Sequence, residues 1–531
     1  MHRPLRIPGF LSVLLLALLL GVASPPSGVQ AQAAPLEDLD AFVEAGMAEW
    51  GIPGLALAVV HGGEVVYSRG YGVLELGETR EVDEHTLFGV ASVSKAFTAA
   101  AIGLLVDEGV LDWDDPVVRH LPDFRLYDPG VTQTVTIRDL LSHRVGVGRM
   151  TGNRLQWLPA RDRSELVYRM RYAEPEQTFR NGYVYSNVMY MVAGQVIEAV
   201  TGMNWGEFVE ERIFGPLGME RSNTSVTQIA EGENAAWPHQ EIRGEVVPIP
   251  RRNFDAVGAS ASINAPVEEL TTWMRLHLGD PGEVDGFRLL SPAVMREMHR
   301  AQNRIPDSGI TGDLASYGLG WRLSHYEGRR ISQHGGATDG MNTNLVLLPE
   351  EELGVVVVTN TFNSFMNALT NRVADRFLGI EDREWDRMYR ESYLASYDRV
   401  QAGREAIHEA REEGTSPSVP MDAFEGTFYD PLYADVQVRL EGEALVLELW
   451  GDENQTLHLE HWHHDTFRAS YVNPAQREKF VWFGRGEDGS IERLYIRWTL
   501  RPSLLQVGLY PAGYTRTTTF ERIDPEDLPT W

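Results

Sequence analysis

The sequence predicts a mixed α/β body followed by an all-β barrel or sandwich, and three observations carry that reading. Helical and strand patterns alternate up to about residue 383. Composition then shifts at about residue 384 into a charged helical stretch. Beyond residue 420, short alternating segments recur at the spacing of a small β barrel.

The elements follow in order. Residues 35–50 read as an amphipathic helix. Residues 55–60 and 65–68 read as strands around a turn at Gly62-Gly63. An Ala- and Leu-rich helix covers 92–108 and stops at Gly109. Asn187 opens a helix over 188–200 that Gly202 closes. An apolar hairpin joins 344–348 to 353–359 across Pro349-Glu350-Glu351-Glu352. A charged helix over 384–413 leads into a linker at 412–420 rich in Gly, Ser and Pro. Strands are expected at 435–440, 444–450, 479–483, 493–498, 505–510 and 517–522.

The chain starts as a secretory precursor does. Arg3 and Arg6 precede the apolar run from Phe10 to Leu20, and Ala31-Gln32-Ala33 offers a small-residue cleavage site. The apolar run is about half of the ~20 residues needed to span a bilayer. The organisation expected is a signal peptide at 1–33, a mixed α/β domain at 34–383, a connector at 384–419 and a β domain at 420–531. That places the mature protein outside the cytoplasm, secreted or periplasmic, with no stable membrane insertion.

Zero cysteines exclude disulfides, thiolate metal sites and a cysteine nucleophile. The net charge of −29, two units lower once Arg3 and Arg6 leave, repels nucleic acid and anionic lipid. Solubility is the plain reason for such a surface. Lysine occurs only at Lys95 and Lys479, while arginine supplies the rest of the 47 basic residues. Arginine does not give up its proton in a protein, and lysine does when desolvated. A position that keeps lysine against this background suits a titratable amine.

Lys95 lies in Ser92-Val93-Ser94-Lys95, at the start of the Ala-rich helix. Residues three apart share a helix face, so the amine reaches the Ser92 hydroxyl. The helix start also gathers N–H groups and positive dipole, which suit an oxyanion. A capping serine followed by a solvated lysine gives the same motif, but the apolar flanks Val90-Ala91 and Phe97 to Ala101 favour burial. Tyr185-Ser186-Asn187 precedes a second helix. Its phenol can share a proton with Lys95 and its amide can bind a carbonyl, although a packed ring and an ordinary N-cap fit too. In Gln333-His334-Gly335-Gly336-Ala337, paired glycines let a ligand approach an edge strand, and the Ala337 N–H is a second oxyanion donor; a glycine turn with a satisfied histidine is the plain alternative. His458, His461, His463 and His464 read as a polar strand face beside Trp462 rather than as a metal site, and His143 as a packing or capping residue rather than the base of a triad. No cofactor or metal is expected.

The order and spacing of the three motifs resemble the serine beta-lactamase and penicillin-binding-protein superfamily, most of all its class C, esterase and D-aminopeptidase branch. Thr136 to His143 and Ile213 to Met219 look familial as well. The resemblance covers about residues 36 to 380 and implies an α/β/α sandwich around an antiparallel sheet with a helical subdomain. It implies Ser92 as nucleophile, Lys95 and Tyr185 as proton carriers, and Asn187, His334, Gly335, Gly336 and Ala337 as substrate-binding residues. The tail resembles the lipocalin-like domain of some members; it either shapes the site or mediates homo-oligomer assembly. His334 stands where beta-lactamases and transpeptidases usually carry lysine. The expected substrate is therefore a small ester, amide or D-amino-acid peptide. Beta-lactam hydrolysis, or a penicillin-binding sensor or scaffold that acylates without turnover, is the alternative.

Overall fold

The computed structural model describes residues 36–148, 151–157, 162–242, 244–306, 315–381, 383–450, 455–471, 478–499 and 515–529. The signal peptide expected at 1–33 and the strand expected at 505–510 lie outside them.

The body is built on an eight-stranded antiparallel sheet. Its strands are β1 (Gly54–His61), β2 (Glu64–Gly72), β3 (Asn303–Arg304), β4 (Ser316–Tyr317), β5 (Arg322–Tyr326), β6 (Arg329–Thr338), β7 (Met341–Leu348) and β8 (Leu353–Thr359). Their spatial order is β2-β1-β8-β7-β6-β5-β4-β3. The β1–β2 turn uses Gly62 and Gly63, with φ of 59° and 81°. Two-residue hairpins favour such left-handed pairs because their twist matches the strands.

Six described helices exceed ten residues: α1 (Leu39–Trp50), α2 (Ser94–Asp107), α3 (Asn187–Thr201), α4 (Val267–His277), α5 (Phe365–Leu378) and α6 (Trp385–Glu409). Alternation along β1 explains the layering. Leu55, Leu57 and Val59 join Val355 and Val357 against α1 and α5, through Val43, Phe365 and Leu369. Ala56 and Ala58 face the other way with Leu345, Val356 and Val358, into a core shared with α2, α3 and α4. Both faces are buried, so β1, β8 and the second half of β7 (Leu345–Leu348) read as continuous apolar runs rather than as alternation. Each fully buried Val or Leu contributes roughly 1.5–3 kcal/mol. The helical subdomain, which contains α3, is inserted between β2 and β3.

The tail is a closed eight-stranded antiparallel barrel. It runs through β9 (Gly426–Asp430), β10 (Ala434–Glu441), β11 (Ala444–Leu449), β12 (Thr456–His463), β13 (Thr466–Tyr471), β14 (Lys479–Arg485), β15 (Ile491–Thr499) and β16 (Thr515–Ile523). Pairing of β9 with β16 closes it. Phe424, Phe428, Phe467 and Phe483 pack ring on ring in its core, with centroids 4.8 to 6.0 Å apart. A register shift interrupts β12 between His461 and His463. The histidines there clasp the linker: His464 Nε2 lies 2.9 Å from Glu412, and the Glu412 N–H donates to His463 Nδ1 at 3.3 Å. Among the described residues no helix is long and apolar enough to cross a membrane.

Candidate active site

The first motif sits where a single helical turn (Ala91–Val93) runs into α2. Ala91 has φ 50°, a left-handed value costly for a residue with a Cβ. Backbone strain of this kind is held in place by its surroundings, and here the surroundings are tight. A Cβ on Gly336 of β6 would lie 2.2 Å from the Val90 carbonyl oxygen and 3.2 Å from the Ser92 nitrogen. Only glycine lets β6 press against the Ser92 turn. Behind Lys95, a Cβ on Gly320 would lie 2.8 Å from the Lys95 carbonyl oxygen.

Lys95 is fully buried, and burial pushes its amine well below the ordinary lysine range. Its Nζ donates to the Ser260 carbonyl at 2.9 Å and lies 3.2 Å from Ser92 Oγ. A neutral amine that gives one N–H to Ser260 keeps its lone pair for the Ser92 hydroxyl proton. Tyr185 completes this corner, with its ring centre 4.8 Å from Lys95 Nζ. The buried Tyr190 ring lies 5.4 Å from the same nitrogen, and its hydroxyl donates to the Leu141 carbonyl at 2.6 Å.

Tyr185 ends the segment leading into α3. Ser186, not Asn187, is the N-cap: its Oγ accepts from the Met189 N–H, and Asn187 is the first helical residue. The ordinary N-cap role considered for Asn187 is therefore already filled. Asn153 fixes the whole segment. Its Oδ1 accepts from the Asn187 and Val188 N–H groups at 2.7 and 3.3 Å, and its Nδ2 donates to the Tyr185 carbonyl at 3.2 Å. His143 Nδ1 accepts from the Ser186 N–H at 3.1 Å, so a neutral His143 carries its proton on Nε2. Its ring centre lies 4.4 Å from that of Tyr185.

The third motif is the end of β6. β5 pairs with β6 only as far as Gln333, leaving residues 334–338 open on that side while β7 pairs the other. Gly335 and Ala337 are exposed there, whereas His334 and Gly336 point inward. His334 Nδ1 meets the Gly335 carbonyl at 2.7 Å, which requires an N–H at that nitrogen. Nε2 then accepts from the Tyr317 hydroxyl at 2.7 Å. Burial, joined by the Lys95 amine when charged, pushes His334 down to about 3. His334 is thus neutral near pH 7.

A shallow cleft opens beside this strand end. Leu87, Ala236, Phe254 and Met341 give it an apolar wall, and the Arg252–Asp339 ion pair, 2.8 Å long, lies at one side. Among the described residues no group of three or more His, Asp or Glu is arranged to hold a metal.

The three sequence motifs thus converge from α2, the start of α3 and β6. Residues 39–379 match the family described as Beta-lactamase. The chain belongs to the beta-lactamase family. Residues 410–507 match a domain of unknown function (DUF3471). Unguisins hydrolase ungD' of Aspergillus campestris is 28% identical over 506 residues, covering 88% of this chain and 90% of the relative. Protein flp of Staphylococcus aureus is 23% identical, covering 64% of this chain and 65% of that one. The octameric penicillin-binding protein homologue from Pyrococcus abyssi shares the fold, with TM-score 0.58, 22% identity and coverage of 86% and 97%. D-amino acid amidase from Ochrobactrum anthropi, solved with L-phenylalanine amide, aligns with TM-score 0.56 and 21% identity over 65% of this chain and 99% of its own. Sequence reasoning did not single out Asn153, Tyr190, Ser260 or Tyr317. Of these, Tyr317 alone had a local signal, the glycine-punctuated Tyr317-Gly318-Leu319-Gly320-Trp321 run.

Proposed function

We propose that this chain is a secreted serine hydrolase that cleaves a small ester, amide or D-amino-acid peptide through an acyl-enzyme on Ser92. The observation that carries the reading is the buried Lys95 amine, 3.2 Å from Ser92 Oγ and held by one carbonyl. A solvated lysine would not meet those conditions.

Ser92 Oγ attacks the acyl carbonyl carbon as its proton passes to Lys95 Nζ. The N–H groups of Ser92 and Ala337 receive the oxyanion. Tyr185 relays the proton to the leaving nitrogen or oxygen as the scissile bond breaks. Water then attacks the Ser92 ester, giving its proton back through Tyr185 and Lys95, and the acid leaves. Asn187 holds a substrate carbonyl, and the open edge at Gly335–Ala337 lies along the substrate backbone. His334 supports this arrangement through Gly335 and Tyr317 rather than as a cation. A neutral His334 does not offer a beta-lactam carboxylate the charge that a lysine at this position would. Relatives named hydrolase and amidase support acyl transfer to water. The signal-peptide pattern at 1–33 supports export.

A fluorophosphonate tests the assignment. The expected result is one adduct on Ser92, lost in Ser92→Ala together with hydrolysis of p-nitrophenyl esters and D-aminoacyl anilides. Folded wild-type protein that takes no label, or a Ser92→Ala variant that still turns over, overturns it. Nitrocefin turnover as fast as the best ester would move the substrate to beta-lactams.

A further inference from the structure

One short turn of the barrel packs against the helical subdomain. The β9–β10 loop is shaped by Asp430, whose Oδ1 accepts from the Leu432 and Tyr433 N–H groups at 2.9 and 2.8 Å. Trp450 Nε1 donates to the Tyr433 carbonyl at 2.6 Å, fixing that residue from inside the barrel. The buried Tyr433 hydroxyl donates to the Thr151 carbonyl at 2.6 Å. Next to it, the buried Arg169 donates to the Pro431 carbonyl at 2.7 Å. The Arg154 guanidinium lies 4.8 Å from the ring centre of Trp498, a second barrel residue.

Residues 151–154 are held from several sides. Glu176 Oε1 accepts from the Thr151 N–H and hydroxyl at 3.1 and 3.0 Å, while barrel residues hold the Thr151 carbonyl and Arg154. Between them, Asn153 holds the Tyr185 carbonyl and the Asn187 and Val188 N–H groups. The span leaves little slack: a Cβ on Gly152 would lie 2.7 Å from the Val188 side chain. We infer that Tyr433 is a positioning residue for the Tyr185–Asn187 segment, acting through Thr151 and Asn153. The barrel is then a supporting part of the active site. The inference rests on the proposed role of Tyr185 for its kinetic consequence, but not for the structural coupling.

Tyr433→Phe in the full chain removes the hydroxyl and keeps the ring. The expected result is a kcat lower by about tenfold, with KM changed less than twofold, because a small misplacement of a catalytic group costs rate steeply. Amide exchange of Asn187 and Val188 should quicken by about tenfold, as expected for loss of one buried hydrogen bond's support. Phe467→Leu, which loosens the barrel core away from this turn, should change neither. The pair Tyr433→Phe and Asn153→Ala should be non-additive, the double variant being no slower than Asn153→Ala alone. Wild-type kcat and exchange in Tyr433→Phe, equal effects from Phe467→Leu, or additive effects in the cycle would each overturn the inference. If wild-type protein lacks Ser92-dependent turnover, the exchange measurements still decide the coupling, so the two failures are distinguishable.

Discussion

Replacing Lys95 with methionine should abolish hydrolysis and change the pH dependence of stability in a definite direction. The side chain is fully buried, and burial lowers its amine well below the ordinary range. In the unfolded chain the same amine titrates near 10.4. Between the folded and unfolded values, the unfolded state binds one proton more, so wild-type stability rises with pH there. The slope is up to about 1.4 kcal/mol per pH unit. Below the folded value both states are protonated and the cost levels off. Methionine fills a similar volume without the titration. It leaves the Ser260 carbonyl without its donor, a loss of about 1–3 kcal/mol that does not vary with pH. Loss of the general base lowers the rate by about 10²–10⁴-fold. Urea unfolding of wild type and Lys95→Met at pH 7, 8, 9 and 10 isolates the lysine, since tyrosine titrations are common to both. The stability of the variant relative to wild type should fall as pH rises. Parallel stability curves would mean that Lys95 stays protonated in the fold, and the base assignment would fail with them.

Two further predictions concern groups around the site. His299 is pushed down to about 4 and His277 well below the usual range, both by burial, and the two rings meet at 2.9 Å beneath Trp321. His299 also contacts Ser332 Oγ at 2.8 Å, with the Arg330 charge opposing its protonation. The stability held by a neutral His299 is present above about pH 6.5 and lost as pH falls towards 4. His299→Gln should therefore flatten the decline in urea midpoint between pH 6.5 and 4.5, and an unchanged decline would refute the claim. Gly336→Ala drives a Cβ against the Val90 carbonyl, so fluorophosphonate labelling of Ser92 should slow by at least about 10²-fold, as expected for a displaced nucleophile; labelling at the wild-type rate would show that the turn has room to shift.

The parts of the fold legible in the sequence are those set by local chemistry. The Gly62-Gly63 hairpin, the Gly202 stop after α3 and the charged α6 follow from turn residues and periodicity. β3 and β4 have two residues each and carry no periodic signal. β9 and β13 were not among the expected strands, and of β12 only the strand face that carries the histidines was expected. The candidate site divides in the same way. Ser92 and Lys95 are three residues apart on one helical turn, so their contact is local. Asn153 meets Asn187 across 34 residues, and Ser260 meets Lys95 across 165. No spacing rule connects such pairs, because the intervening chain sets the distance only once it has folded.

The two lysines of this arginine-rich chain show why composition alone was a weak guide and geometry a stronger one. Lys479 Nζ lies 4.6 Å from the Tyr471 ring centre and 5.4 Å from that of Trp498, in the barrel. A cation above aromatic rings is a role that arginine also fills, and stacks well in. Nothing in that position demands an amine that loses its proton. Lys95 also lies over two aromatic rings, Tyr185 and Tyr190, but it is fully buried. Its hydrogen-bond partners are one carbonyl oxygen and one hydroxyl, neither of which balances a charge. A guanidinium there would be buried without a counter-ion at a cost of several kcal/mol. A lysine escapes that cost by giving up its proton, and in the proposed mechanism the same deprotonation makes it a base toward Ser92. The burial that weakens the fold at this point and the chemistry that uses it are one physical event.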